Sequence, residues 1–141
     1  MFYDLVMVGL RVCETSDIAI SVLTSVIGHQ KQKGWVITDA GWMALSRDRG
    51  TASQKTDQGY GLVYSVQGEP LIDMIVSSAN QEHGIMTTRS EKEIDWESFG
   101  IGSVVRILPN HACATGAMHD RYYITDGTME IVDVWHRING W

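Results

Sequence analysis

Short runs of β-branched and aromatic residues, separated by Gly, Asn, Asp and Pro, dominate this sequence and constrain its fold most. Such runs favour strands because these side chains pack well on a pleated surface. We therefore expect eight to ten strands with hardly any helix, forming a single all-β, barrel-like domain over residues 1–141. The clearest runs are 2–8, 18–27, 35–38, 60–66, 71–76, 103–108, 121–125 and 129–135.

Turn residues between these runs predict two hairpins. A loop of about four residues, 67–70, joins the runs 60–66 and 71–76. Asp126-Gly127 predicts a tight primed turn, because Gly tolerates positive φ angles.

Three other segments are less regular. The run 18–27 allows either a helix capped by 15–17 or a strand, and its alternation of β-branched residues favours the strand. The segment 41–58 is expected to be a long loop, and 91–98 to hold a short helical turn.

Composition and charge exclude several classes of function. The 141 residues carry a net charge of −6 without a basic run, which argues against nucleic-acid and membrane-surface binding. No apolar run approaches the roughly 20 residues of a transmembrane helix, and the first residues lack the basic region of a signal peptide. Two cysteines, Cys13 and Cys113, cannot form a disulfide framework, so we expect a cytoplasmic protein.

The segment PNHACAT, residues 109–115, carries the sharpest chemical signal. In extended backbone, His111 and Cys113 would point to the same side and could bind one ion. A nitrogen and a sulfur donor together suit Zn²⁺, with positions left open for water or substrate. A loop histidine beside a small buried cysteine is the alternative.

Two further polar clusters are candidate site segments. In NQEHG, residues 80–84, His83 is a candidate base or a side chain supporting a metal ligand, the alternative being a solvated turn. In residues 39–50, Arg47 and Arg49 are candidate contacts for a carboxylate or phosphate, the alternative being a solvated, self-paired Arg-Asp-Arg loop. The other histidines, His29, His119 and His136, are expected to be structural or exposed.

Six segments together resemble the C-terminal domain of D-threonine aldolase and D-serine dehydratase enzymes. In order they are FYDLVMVGL, DAGWMALSRDRG, DQGYG, ANQEHG, PNHACAT and EIVDVWHRINGW, so the resemblance spans essentially the whole chain. It implies two-domain, alanine-racemase-like pyridoxal phosphate enzymes that act as dimers. Their N-terminal α/β barrel carries the Schiff-base lysine, and their C-terminal domain is β-barrel-like.

The resemblance also implies a metal-assisted reaction. The divalent metal would be held by His111 and Cys113, and the thiolate favours zinc over manganese or magnesium. It would act as a Lewis acid on the β-hydroxyl of a β-hydroxy-D-amino acid. The products would be glycine and an aldehyde after Cα–Cβ cleavage, or ammonia and a keto acid after elimination. The segments DAGWMALSRDRG and PNHACAT lean toward the aldolase branch.

The N-terminal pyridoxal-binding barrel has no counterpart in residues 1–141, and none of Lys31, Lys33, Lys55 and Lys92 lies in a segment resembling the family's lysine motif. We therefore expect the chain to be inactive by itself. Its partners would be a barrel domain or a second subunit, and an exposed docking patch would favour a homo-oligomer. Two alternatives remain open, namely an autonomous β-barrel module that binds a metal or small ligand, and a structural oligomerisation domain.

Overall fold

A closed barrel of six antiparallel strands forms the centre of the computed structural model, which describes residues 2–138. Around the barrel the order is β1-β2-β5-β4-β3-β6, and β7 and β8 pair in a separate two-stranded sheet. The all-β, barrel-like prediction is therefore confirmed. The strands are β1 (Val22–Gln30), β2 (Trp35–Thr38), β3 (Gly61–Tyr64), β4 (Pro70–Ala79), β5 (Gly84–Thr88), β6 (Val104–Pro109), β7 (Arg121–Ile124) and β8 (Asp133–His136).

Alternating side chains of the six strands fill the barrel. In β1 the residues Val22, Thr24 and Val26 are buried, while the residue after each of them is more exposed. Each large apolar side chain buried in this way contributes about 1.5–3 kcal/mol. The most deeply buried strand residues come one from each of the six strands and are Val26, Val36, Val63, Val76, Met86 and Ile107.

Three short helices lie outside the barrel: α1 (Leu5–Gly9), α2 (Trp42–Leu45) and α3 (Ala112–Ala117). A second apolar cluster, which includes Leu5, Leu108 and Ala112, joins α1 and the start of α3 to β6. Single 3₁₀ turns occupy Thr15–Asp17, Lys31–Lys33 and Gly50–Ser53. Within residues 2–138, no helix has the length and hydropathy required to cross a bilayer.

Three sequence-based expectations about local structure were wrong because a short helix forms instead. Within the run 2–8, α1 begins at Leu5, since the Asp4 carboxylate accepts a hydrogen bond from the Met7 N–H (3.0 Å) and caps the helix. The loop expected over 41–58 contains α2 and a 3₁₀ turn. The extended backbone expected from His111 to Cys113 is interrupted by α3, because β6 ends at Pro109 and a sequence rich in Ala follows.

The expected hairpins form, with one difference. The β3–β4 pairing is as predicted, with Leu62 opposite Ile75. The β7–β8 pairing also forms, but residues 125–132 separate the strands, so the tight Asp-Gly turn was wrong. The reason is local, because Asp126 Oδ1 accepts hydrogen bonds from both the N–H and the hydroxyl of Thr128 and folds a wider loop.

Two remaining expectations concern connecting segments. The strand favoured over 18–27 is confirmed in part, since β1 begins at Val22, and Ile18 and Ile20 pack in the second apolar cluster. No helix forms in 91–98, where a short helical turn was expected, but residues 96–99 form a hydrogen-bonded turn that overlaps this segment. The last three residues of the segment EIVDVWHRINGW lie outside the described residues.

Candidate metal centre at one end of the barrel

All the sequence-predicted site segments meet at one end of the barrel. Because the neighbouring strands are antiparallel, the ends of β2, β4 and β6 and the starts of β3 and β5 share this end. The segments 39–50, 57–61, 80–84 and 109–115 leave or enter the barrel there. We call it the site end; the predicted residues His83, Arg47, Arg49, His111 and Cys113 all belong to it.

His111 is the first candidate ligand, and its ring is oriented by a carboxylate. His111 Nδ1 lies 2.5 Å from Asp48 Oδ2, although the two residues are 63 positions apart. A carboxylate oxygen in this contact accepts, so Nδ1 carries the hydrogen and donates it. Nε2 is then the ring nitrogen with a free lone pair. Both side chains are 40% exposed, so solvent or a ligand can reach the ring.

Cys113 is the second candidate ligand and is an exposed free thiol in the first turn of α3. His111 is the extended N-cap residue of this helix, with φ −137° and ψ 108°. The expectation that one extended backbone carries both side chains was therefore wrong for Cys113. Residues two apart within a helix do not face each other, so binding of one ion depends on the bend at the helix start. Convergence of the two donors stays a prediction.

The buried side chain of Asn110 anchors the residue before His111. Its Nδ2 donates to Thr51 Oγ1 (2.8 Å) and to the Gly59 carbonyl (2.7 Å), and its Oδ1 accepts from the Thr51 N–H (3.0 Å). Asn110 is 1% exposed, so each of these bonds satisfies a group that water cannot reach. Sequence reasoning missed this role, because all three partners lie more than fifty residues away.

Asp4 anchors the residue after His111. One carboxylate oxygen, Oδ2, accepts from the Ala112 N–H (2.8 Å), while Oδ1 caps α1 at Met7. One buried carboxylate therefore holds the starts of two helices, α1 and α3. The sequence did carry a signal for half of this role, since an Asp directly before an apolar run is a typical N-cap.

Side chains of the α3 segment also bind the end of α2. The Thr115 hydroxyl donates to the Leu45 carbonyl (2.8 Å), and His119 Nε2 donates to the Ala44 carbonyl (3.0 Å). These bonds fix the segment 46–50 relative to α3. The expectation that His119 is structural is confirmed. His29 is also structural, because its Nε2 donates to the Phe99 carbonyl (2.6 Å).

The two candidate anion-binding arginines differ in their surroundings. Arg49 Nη2 pairs with Asp57 Oδ2 at 2.5 Å, and the guanidinium lies 5.3 Å from the Tyr60 ring centre. Arg47 is exposed and stacks over Trp42 at 4.4 Å. The alternative of a self-paired Arg-Asp-Arg loop is wrong, because Asp48 binds His111 and not a neighbouring arginine. The anion contacts of both arginines stay predictions.

His83 lies in the β4–β5 turn, where its side chain is exposed. Its carbonyl accepts a hydrogen bond from the Asn80 N–H (2.8 Å), and the Asn80 carbonyl accepts from the Trp42 N–H (2.9 Å). A Cβ at Gly41 would meet the Asn80 and Gln81 carbonyls at 2.4 Å, so only glycine permits this close approach. The turn thus supports α2, and a role for His83 as base or ligand support stays a prediction.

The donors at the site end fit a zinc-type metal. An imidazole with Nδ1 engaged by a carboxylate and Nε2 free is the usual state of a metal-binding histidine, and a thiol follows two residues later. Among residues 2–138, no group of three or more His, Cys, Asp and Glu side chains is placed to hold a metal ion. A metal bound by His111 and Cys113 would therefore keep coordination positions for water or substrate.

The lysines of this chain do not fit a Schiff-base site. Such a lysine is activated by a desolvated pocket or a neighbouring cation, whereas Lys31, Lys33, Lys55 and Lys92 are all exposed. Lys31 and Lys33 lie over Trp96 and Trp35 at the end of the barrel opposite the site end.

A cavity of about 530 Å³ also lies at that opposite end. Its walls include Ser65, Leu71, Glu93, Phe99 and Val105, and none of the predicted site residues. The cavity and the candidate metal centre are therefore separate features.

Comparison with known proteins shows which family this domain resembles. The sequence profile described as "Putative serine dehydratase domain" matches residues 19–125. The D-threo-3-hydroxyaspartate dehydratase of Delftia sp. (strain HT23) is 51% identical over the whole chain, and the D-serine dehydratase of Schizosaccharomyces pombe is 33% identical over 89% of it. The chain spans only 37% and 29% of the lengths of these two relatives.

Solved structures agree with the sequence matches. The structure of the Delftia dehydratase superposes with a TM-score of 0.91 and 50% identity over 99% of this chain and 37% of its own. A D-threonine aldolase from Filomicrobium marinum superposes with a TM-score of 0.59 and 20% identity over 82% of this chain and 26% of its own, which shows a shared fold alone. The resemblance drawn from the six segments is confirmed, and the chain belongs to the serine dehydratase domain family.

Proposed function

We propose that this domain provides the metal-binding part of a lyase active site that acts on β-hydroxy-D-amino acids, with His111 and Cys113 as its two protein ligands. The observation that carries the proposal is the contact between His111 and Asp48. Asp48 binds Nδ1 of the ring and leaves Nε2 free, and both side chains are partly exposed at the site end. The Delftia dehydratase gives further support. Its solved forms include His→Ala and Cys→Ala variants two positions apart, and the cysteine variant is described as metal-free.

Zinc is the metal that the donor set favours. Thiolate is a soft ligand that suits zinc better than manganese or magnesium, and imidazole suits zinc well. With two protein ligands, the remaining coordination positions are open to a substrate oxygen. The metal supplies Lewis-acid polarisation of the β-hydroxyl, and pyridoxal phosphate supplies an electron sink.

The residues of this chain position the metal and the substrate. His111 and Cys113 place the metal, and Arg47 and Arg49 provide cationic groups for a substrate carboxylate or cofactor phosphate near the same end of the barrel. Arg47 is the freer of the two, because Arg49 is already paired with Asp57.

We favour β-elimination over Cα–Cβ cleavage as the reaction. The curated dehydratases are 26–51% identical to this chain, whereas the likeness to the aldolase structure, at 20% identity, supports no more than a shared fold. The sequence segments favoured the aldolase, but the identities favour a dehydratase, and we adopt the dehydratase reaction. The substrate would carry its hydroxyl on the β-carbon, as D-serine and D-threo-3-hydroxyaspartate do.

The chain by itself is proposed to be inactive, because its lysines do not fit a Schiff-base site. The pyridoxal phosphate would be held by a barrel domain or a second subunit. An apolar surface on and near the β7–β8 hairpin offers a place for such a partner or for a homo-oligomer. Its side chains are 52–60% exposed and are Tyr123, Met129, Ile131, Val132 and Trp135.

Elemental analysis of the purified chain tests the metal site. We expect about one zinc per chain, as for a single site of this type. His111→Ala and Cys113→Ser should both lose the metal, while His136→Ala, which removes an exposed histidine of the separate hairpin, should keep it. Metal retained in both site variants would contradict the proposal.

A chimera tests the reaction. The matching domain of the Delftia dehydratase would be replaced by this chain, and the products from D-threo-3-hydroxyaspartate, D-serine and D-threonine would be measured. We expect a keto acid and ammonia, lost on His111→Ala. Glycine and an aldehyde as the main products would favour the aldolase, and turnover by the isolated chain with added pyridoxal phosphate and zinc would contradict its inactivity.

A further inference from the structure

We propose that Asp48 is a positioning residue that fixes the tautomer and orientation of the His111 ring for metal binding. This inference rests on the proposed metal site. It assigns a role to Asp48, which the sequence suggested only as a partner of the neighbouring arginines. The contact of His111 Nδ1 with Asp48 Oδ2 at 2.5 Å is the primary observation.

The direction of this hydrogen bond decides which ring nitrogen faces a metal. Asp48 Oδ2 accepts, so the hydrogen resides on Nδ1 and the lone pair on Nε2. Without the carboxylate, the ring of His111 could rotate and exchange tautomers freely. A metal would then bind only the fraction of molecules in which the Nε2 lone pair is correctly aimed.

Asp48 is itself held in place by its own segment. Ser46 ends α2 with a positive φ of 70° and turns the chain toward α3. The Ser46 hydroxyl accepts a hydrogen bond from the Asp48 N–H (3.2 Å). Because Thr115 and His119 bind the last carbonyls of α2, the backbone that carries Asp48 is tied to the α3 segment.

His111 is held from the other side. Asn110 and Asp4 fix the residues before and after it through buried hydrogen bonds. Both partners of the Asp48–His111 contact therefore start from rigid backbone. The two side chains come into contact by adopting the right rotamers, without any change in the backbone. This is the arrangement expected of a site whose residues are held by their neighbours.

A purely structural role explains this pair poorly. Each side chain is 40% exposed, and exposed ion pairs contribute little to stability. Neither neighbouring arginine forms an ion pair with the Asp48 carboxylate, since Arg49 binds Asp57 and Arg47 stacks on Trp42. Asp48 is thus available to His111.

Nitrogen-15 NMR of the metal-free chain reads the tautomer directly. We expect the unchanged chain to show His111 with hydrogen on Nδ1. Asp48→Ala should shift it toward the Nε2 form, and Asp48→Asn, whose amide oxygen still accepts, should retain the Nδ1 form. Asp126→Ala is the control, because it removes a carboxylate from the exposed β7–β8 loop.

Zinc competition with a chromophoric chelator gives the second readout. We expect Asp48→Ala to weaken zinc binding by about 10- to 100-fold, with a smaller loss for Asp48→Asn and none for Asp126→Ala. Circular dichroism would verify that each variant is folded.

The outcomes separate the two proposals. If the unchanged chain binds zinc through His111 but Asp48→Ala changes neither tautomer nor affinity, the role of Asp48 is overturned and the metal site stands. If His111→Ala leaves zinc binding intact, the metal site itself is overturned, and the role of Asp48 with it.

Discussion

The two ends of the barrel are stabilised in different ways. At the site end, the buried polar side chains of Asp4, Asn110 and Thr115 bind backbone groups of distant segments. At the opposite end, the side-chain hydrogen bonds are exposed or only partly buried, as between Ser65 and Glu69 and between His29 and the Phe99 carbonyl.

The conformation of the site end is therefore more strongly constrained than that of the opposite end. A buried polar network is stable only when every member is satisfied, so it permits few alternative arrangements. A short exposed turn tolerates change because water replaces any lost partner. The proposed metal site, which depends on the positions of two side chains, needs the first kind of support.

The largest expected effect comes from Asn110→Ala. It leaves the buried Thr51 N–H and Gly59 carbonyl without their partner, and each such group costs about 1–3 kcal/mol. We expect a loss of about 3 kcal/mol in the free energy of unfolding, measured by urea denaturation. Ser65→Ala at the opposite end should cost less than about 1 kcal/mol. Equal losses at the two ends would contradict the contrast.

A smaller effect is expected for Asp4→Ala, which removes the cap from two helices at once. Losing an N-cap costs about 0.5–2 kcal/mol per helix, so we expect a loss of about 2 kcal/mol for the two helices together. Zinc affinity should fall as well, because α3 carries Cys113. Asp4→Asn should recover part of the stability, and an unchanged zinc affinity in Asp4→Ala would show that the start of α3 does not depend on this cap.

The smallest expected effect is local and depends on pH. The hydroxyl of Ser98 donates to Asp95 Oδ2 and, together with the Glu97 N–H, lowers the pKa of this carboxyl. A lowered folded-state pKa adds stability above the ordinary value, and this stability is lost as the pH falls through the lowered pKa. Ser98→Ala should therefore raise the pKa of Asp95 toward its ordinary value, as followed by carbon-13 NMR. No change in that titration would contradict the assigned cause.

Much of the barrel follows from the sequence because strand signals are local. The run 35–38 and the hairpin of 60–66 and 71–76 form as predicted. The three helices were missed because elements of four to six residues are too short to show a helical period. The start of α3 depends on Asp4, and the end of α2 depends on Thr115, and the sequence places both of these partners far away.

The fold class, the family and the segments that carry the candidate ligands could all be read from the sequence alone. These depend on alternating hydrophobicity, turn residues and ordered motifs, which are properties of neighbouring residues. The tertiary structure decided that the segments meet at one barrel end, that α3 begins between His111 and Cys113, and that Asp48 binds His111. The physical reason is that antiparallel closure of the barrel brings together residues 63 positions apart, and no local pattern encodes that distance.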